Sequence, residues 1–342
     1  MLTTIRDVAA TAGVSPATVS RVLNGKQDVA AELRHRVLAA VAELGYRPNG
    51  PARSLRTRAA MVLALIISDI TNPFFTALVR GVEDRAQQAG YSVVLANADE
   101  DLVKESRYLE VAAAEQMAGV LLSPASPRHT RIAALLERGI PVVTIDRRLA
   151  AAPVDSVTVN NRHAALVAAG HLISQGCRRV GIVAGPLETT TGASRLAGFR
   201  AAVRAAGLAP DPALIAAANF RTDGGYEATR RLLRLPQPPD GLLVSNNLMT
   251  IGALQAIAEA DLTIPGDIAV VGFDDAGWAT AVRPPLTVVA QPTYEIGRKG
   301  AELLLSRIAG QTFPPRHVVL KAELVERASS QRALSAGRAA RA

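Results

Sequence analysis

The chain has 342 residues, of which 49% are hydrophobic, 20% charged and only 4% aromatic, the composition of an Ala-rich globular protein of two or three domains; wholesale disorder is excluded. Its 38 Lys and Arg outnumber its 30 Asp and Glu, and the surplus sits at the ends: residues 1–60 hold nine basic and four acidic side chains, residues 61–327 hold 26 of each, and residues 328–342 hold Arg332, Arg338 and Arg341 with no acid. A basic N-terminal block on a neutral body is the electrostatic outline of a nucleic-acid-binding head joined to a domain with another task.

Thr4, followed three residues later by Asp7, resembles a capping arrangement and opens a short helix through Val8, Ala9 and Ala12, which Gly13 stops. Ser15 is a good N-cap and Pro16 falls at the first helical position, where a missing N–H costs nothing, so a second helix follows at once and runs to Asn24-Gly25. Two short helices joined by a tight, Gly-containing turn make a helix-turn-helix. A third helix is expected from about Ala31 to Leu44, with Leu33, Val37, Leu38, Val41 and Leu44 on one face completing a small three-helix core. After Pro48, Asn49 can cap one more helix, Gly50 to about Arg58, too short and polar to be stable alone.

From Met61 onward, apolar β-rich runs alternate with amphipathic stretches: Val62–Ile67, Tyr91–Ala96, Gly119–Leu122, Pro141–Ile145, Arg179–Ala184, Leu242–Val244 and Ile268–Phe273. Continuous apolar strands separated by helices indicate parallel sheets covered on both faces, and the length of this region calls for two doubly wound units. No Gly-x-Gly-x-x-Gly follows a strand, and neither a P-loop nor a Gly-x-Ser-x-Gly elbow is present, so dehydrogenase, nucleotide-hydrolase and esterase readings lose their main support. The five histidines are scattered, the lone Cys177 closes no disulfide within the chain, and no Cys/His cluster has zinc spacing, so no metal and no cofactor are expected. The longest apolar run, Met61 to Ser68, falls far short of the ~18 residues of a spanning helix, and the N-terminus lacks a basic stretch leading into an apolar one; no membrane partner and a cytoplasmic location are expected.

Polar residues at strand ends stand out: Asn72-Pro-Phe-Phe75, Asp146-Arg147, Gly192-Ala-Ser-Arg195, Phe220, Ser245-Asn-Asn247 and Gly272-Phe-Asp-Asp275. Asp146, Arg195, Asn246 and Asp274 offer acceptors and a forked donor suited to vicinal hydroxyls, while Phe75 and Phe220 offer apolar faces for a sugar ring. Each of these types also serves as a helix cap or turn former; it is their placement after successive strands that marks a shared crevice.

Three segments, Ser15-Pro-Ala-Thr-Val-Ser-Arg-Val-Leu-Asn24, Gly45-Tyr-Arg-Pro-Asn49 and Ala52-Arg-Ser-Leu-Arg56, resemble the DNA-binding head and hinge of the LacI/GalR family of bacterial transcription regulators, and the resemblance runs on to about Arg327. It implies an all-α helix-turn-helix head plus an α/β periplasmic-binding-protein-like body of two doubly wound parallel-sheet subdomains. The implied division is 1–48 for the head, 49–60 for a hinge helix, 61–327 for an effector-binding and dimerisation body, and 328–342 for a disordered basic tail. Within the body the first subdomain takes about 61–158 and 292–320 and the second about 159–290 and 321–327, with three crossovers near Val159, Gln291 and Lys321.

The family places its second helix in the major groove. Pro16 and Ala17 would then meet thymine methyls, Arg21 would reach guanine O6 and N7, and Ser15, Thr18, Ser20 and Asn24 would hold phosphates. Tyr46, Asn49 and Ala52 belong to the same interface, and Leu55 is the implied minor-groove wedge of a hinge that orders only on DNA. The resemblance assigns Asn72, Phe74, Phe75, Asp146, Thr191, Arg195, Phe220, Asn246 and Asp274 to the effector. The function expected is a repressor, not an enzyme, that binds a palindromic operator as a homodimer and answers to a small molecule, a sugar or related polyol. A purine-binding subgroup of the family carries arginine where this chain has Thr189, which argues against a purine effector. The competing class is a sugar- or nucleotide-processing enzyme, with Asp146 or Asp274 as its base.

Overall fold

The computed structural model describes residues 4–23, 29–46 and 60–332. The chain divides into two compact units, one up to Ala60 and one from Met61.

In the first unit the Thr4 amide donates to Asp7 Oδ2 at 2.7 Å to open α1 (Ile5–Ala12), and Gly13 ends it in the left-handed region at φ +63°. Ser15 Oγ accepts from the Thr18 amide at 3.1 Å at the start of α2 (Pro16–Leu23), and α3 (Ala31–Glu43) closes the bundle. Val8, Ala9, Ala12, Val19, Val22, Val37 and Ala40 form its buried core. Leu38, expected on that face, is 50% exposed: the inward spacing is 37, 40, 41 and 44, and the next residue after Val37 lies about 100° round the helix. Arg36 Nη2 donates to Ala12 O at 2.6 Å and to Gly13 O at 3.3 Å, tying α3 to the turn between α1 and α2.

The second unit holds two six-stranded sheets. The first is built from β1 (Ala60–Ile67), β2 (Ser92–Asn97), β3 (Met117–Leu122), β4 (Val142–Ile145), β5 (Asp155–Val159) and β11 (His317–Leu320), in the order β11-β5-β4-β3-β1-β2. The second comprises β6 (Val180–Ala184), β7 (Ile215–Ala217), β8 (Gly241–Val244), β9 (Ala269–Phe273), β10 (Thr287–Ala290) and β12 (Glu323–Val325), in the order β12-β10-β9-β8-β6-β7. Pairs such as β3–β4 and β8–β9 run parallel, whereas β12 joins β10 antiparallel.

Helices cover both faces of each sheet, which is what the unbroken apolar strands require. α4 (Pro73–Gln88) and α11 (Thr293–Ile308) pack on one face of the first sheet, α5 (Leu102–Ala114) and α6 (Ala133–Glu137) on the other. α7 (Asn161–Ser174) with α8 (Thr190–Ala205), and α9 (Thr222–Leu233) with α10 (Asn247–Glu259), do the same for the second. The chain passes between the sheets three times: between β5 and α7, between β10 and α11, and between β11 and β12. Each sheet has its order reversal beside its first strand, β1 or β6, so the loops at the carboxyl ends of the strands form the place for a ligand.

The expected disordered tail is corrected over residues 328–332. Ala328–Ser330 form a 3-10 turn with Ser329 and Ser330 buried; Ser329 Oγ donates to Val270 O at 2.7 Å, and the Ser330 hydroxyl lies 2.7 Å from Thr287 Oγ1 and 2.8 Å from His171 Nε2. Arg332 Nη1 reaches Asp240 Oδ2 at 3.2 Å. Polar bonds rather than apolar side chains fix this segment, so no hydrophobic period announces it. Residues 333–342 lie outside the described residues.

Candidate functional site

Loops from both sheets line one cleft, open to solvent, whose walls include all nine residues singled out in the sequence: Asn72, Phe74, Phe75, Asp146, Thr191, Arg195, Phe220, Asn246 and Asp274. Several also shape the backbone. Asn72 caps α4, its Oδ1 accepting from the Phe74 amide at 2.9 Å, which sets Phe74 and Phe75 edge to face 5.1 Å apart. Asn246 caps α10 by accepting from the Met249 amide at 2.8 Å, and its Nδ2 donates to Phe220 O at 2.8 Å. Asp146, Phe220 and Asp274 take positive φ of 64°, 64° and 70°, sharp turns that end β4, follow β7 and end β9. Non-glycine residues in that conformation store strain and cluster at binding sites.

Arg195, one turn past Thr191 on α8, is buried with Nε on Asn161 Oδ1 at 2.7 Å and Nη1 on Ser245 O at 2.5 Å, and its guanidinium lies 4.2 Å from the Phe273 ring centroid. Its Nη2 makes no hydrogen bond to the described residues, and the Asp146 carboxylate accepts none from them. Burial pushes the Asp146 carboxyl up to about 6 against the pull of Arg147 and Arg195. Burial likewise raises Asp274, opposed by Arg195 and by hydrogen bonds from Gln291 Nε2 (2.5 Å) and Asn247 Nδ2 (3.1 Å).

Six further residues complete the lining: Asp69, Glu100, Arg147, Asn219, Arg221 and Gln291. Arg147 is 5% exposed and places Nη1 and Nη2 on the two oxygens of Glu100, each at 2.6 Å, while its guanidinium faces the Phe220 ring at 5.5 Å. Among the described residues, three ties cross between the two halves of the body, the weakest from the Arg148 amide to Thr190 Oγ1 at 3.4 Å. Arg221 Nη2 meets Asp99 Oδ1 at 2.6 Å, and with Lys104 it holds the Asp99 carboxyl below its ordinary value; Asn247 Nδ2 donates to Asn72 Oδ1 at 2.8 Å. Arg147 was visible beside Asp146 in the sequence. The loop residues Glu100, Asn219 and Arg221 follow no pattern, and Gln291 was legible only as a crossover.

Thr189, at the position of the purine subgroup's arginine, caps α8 by accepting from the Gly192 amide at 3.1 Å and donates to Pro186 O at 2.7 Å. Among the described residues no His, Cys, Asp and Glu cluster could hold a metal ion, and no helix is long and apolar enough to cross a membrane. His171, His317 and His129 each lie within hydrogen-bond distance of a serine.

On the head, Ser15, Pro16, Ala17 and Arg21 are exposed along α2, Thr18 and Ser20 are half-buried, and Val19 and Val22 face the core. Tyr46 is half-buried and packs against that core. Asn24, Asn49, Ala52 and Leu55 lie outside the described residues.

Residues 4–49 match a family model described as bacterial regulatory proteins, lacI family, and residues 169–330 one described as periplasmic binding protein-like domain. The ribose operon repressor of Escherichia coli strain K12 is 35% identical over 331 residues, spanning 96% of this chain and all of that protein. The HTH-type transcriptional repressor CytR of the same strain is 34% identical, spanning 96% of each. Among solved structures, the lac repressor dimer bound to operator and the anti-inducer ONPF superposes with a TM-score of 0.86 at 27% identity, covering 97% of this chain and 100% of that one. The complex of the transcriptional regulator CelR with cellobiose gives 0.74 at 35% identity, covering 96% and 99%. Helix-turn-helix head, paired parallel sheets and near full-length relatives agree, and the chain belongs to the LacI family of bacterial transcription regulators.

Proposed function

We propose that this regulator acts in the bacterial cytoplasm as a repressor, binding a palindromic operator as a homodimer, and that a sugar held in the cleft of its body controls that binding. The observation that carries the effector reading is the pairing of Phe74, Phe75 and Phe220 with Asp146, Arg195, Asn246 and Asp274 in one cleft. Rings supply apolar faces for a pyranose or furanose, and the polar groups supply acceptors and donors for its hydroxyls. Relatives named for the ribose operon and for a cellobiose complex support the same class. Thr189, closed on its own helix end, supports a sugar rather than a purine.

On the head, Ser15, Thr18 and Ser20 suit phosphates and the exposed Arg21 suits a guanine edge. β2 is an edge strand whose Val94 and Leu95 are 47% and 38% exposed, with Ile70 nearby in sequence at 54%; an apolar edge of this kind suits a second copy of the chain. Calorimetry with D-ribose, cellobiose and ribonucleosides, paired with anisotropy on a labelled fragment of the regulator's own promoter, tests the whole reading. A sugar should bind, change operator affinity and be recovered unchanged, and Asp274→Asn should remove the response. Turnover of the bound compound, or an unaltered response in Asp274→Asn, would defeat it.

A further inference from the structure

We propose that Glu100 makes the cleft selective for uncharged polyols against their phosphate esters, by occupying both Nη atoms of Arg147. The inference rests on the cleft being the effector site and adds which sugars it accepts. A phosphate buried in protein is held by a free guanidinium fork, by a lysine or by uncapped amides at a helix N-terminus. None of the three cleft arginines offers a free fork. Arg147 is bidentate on Glu100, Arg221 has Nη2, the nitrogen common to its two forks, on Asp99, and Arg195 has two nitrogens on neutral acceptors with Asp146 and Asp274 balancing its charge.

The helix ends are partly capped as well. At α4, α8 and α10 a side-chain oxygen of Asn72, Thr189 or Asn246 already accepts from a first-turn amide. Four carboxyls, Asp69, Glu100, Asp146 and Asp274, line the cleft against three guanidiniums. A dianion entering this wall would meet repulsion and leave its own charge unpaired, whereas hydroxyls need only single donors and acceptors.

Glu100 is held for this role rather than loosely placed. Asp99 and Glu100 both adopt positive φ, 58° and 59°, immediately beyond β2, and the Glu100 amide is fixed on Ser68 O at 2.9 Å. Consecutive left-handed non-glycine residues persist only where the surroundings over-determine them. The arrangement delivers one carboxylate to the back of Arg147, a residue 47 positions away.

The test uses the full chain and matched pairs: D-ribose with D-ribose 5-phosphate, D-glucose with D-glucose 6-phosphate, and inorganic phosphate alone. By calorimetry the parent should favour the neutral member of the pair it binds by about a hundredfold or more and take up no inorganic phosphate. Glu100→Gln, folded by circular dichroism, should narrow that ratio by about tenfold and gain phosphate binding that Arg147→Met then removes. Glu100→Asp keeps the charge and should keep the discrimination. A parent that prefers the ester, or a folded Glu100→Gln with an unchanged ratio and no phosphate uptake, would overturn the proposal. Sugar affinities that are all indifferent to Asp274→Asn would instead sink the effector-site reading, and the phosphate titration would still decide the role of Glu100.

Discussion

Asp146 ends β4 in a left-handed turn with its carboxyl raised to about 6 by burial, against an ordinary 3.8. Between those values the folded protein binds more protons than the unfolded chain, so this group makes the empty protein lose stability as pH rises from about 4 through 6. A ligand whose hydroxyls donate to the carboxylate favours the ionised form, and effector binding near pH 6 should therefore release protons. Calorimetry repeated in buffers of different ionisation enthalpy measures that release, and Asp146→Asn should remove it. On the head, Arg21→Ala should cost about 1–3 kcal/mol on operator and relax preference at one base pair. Ser20→Ala should weaken operator and random DNA more evenly, and equal losses on both DNAs for Arg21→Ala would contradict base reading. The nine effector candidates were legible because a polar side chain after an apolar strand has little to do unless it caps or binds. Glu100 and Arg221 were not, because their partners are set by tertiary folding, Arg221 meeting Asp99 from 122 residues away.

Helix packing depends on bare backbone. A Cβ at Gly297 of α11 would lie 2.0 Å from Leu78 O of α4, and one at Gly81 of α4 would lie 2.1 Å from Tyr294 O. Gly297→Ala should force the helices apart and cost about 1–3 kcal/mol, read as a lower unfolding midpoint with the head's helical signal retained. The α7–α8 pair repeats the device at Gly198, where a Cβ would sit 2.1 Å from Arg162 O. The central strands were legible as apolar runs because both their faces are covered. β5, with Asp155, Ser156 and Thr158, and the half-exposed β11 and β12 were not, since polar content and short edges carry no strong period. Asp155 is buried nonetheless, with Arg307 Nε on its carboxylate at 2.8 Å; a sequence pattern does not reveal that pairing.

Across the whole body, the ties over the cleft include an outer ion pair, an inner amide bond and a long bond from the Arg148 amide to Thr190 Oγ1. The Arg221–Asp99 pair is 40% and 34% exposed, so Asp99→Asn should change effector affinity only a few-fold, as an exposed pair contributes about 0–1 kcal/mol. Asn247→Ala breaks a buried bond shared with Asn72 and Asp274 and should cost about 1–3 kcal/mol in closing the cleft, seen as weaker effector binding by calorimetry. Linkage then requires that operator DNA shift effector affinity by the same factor as effector shifts operator affinity. The three passages between the sheets bear finally on biosynthesis. The first sheet needs β11 and the second needs β12 and the turn at Ser329, so neither can be finished until residues 317–330 have been made. At about 5–20 residues per second, roughly 10–50 s separate the synthesis of β1 from that of β11, the last strand of its sheet. The head, drawn from one unbroken stretch of chain, has no such wait: a nascent regulator holds a complete DNA-reading unit well before it holds a sensor.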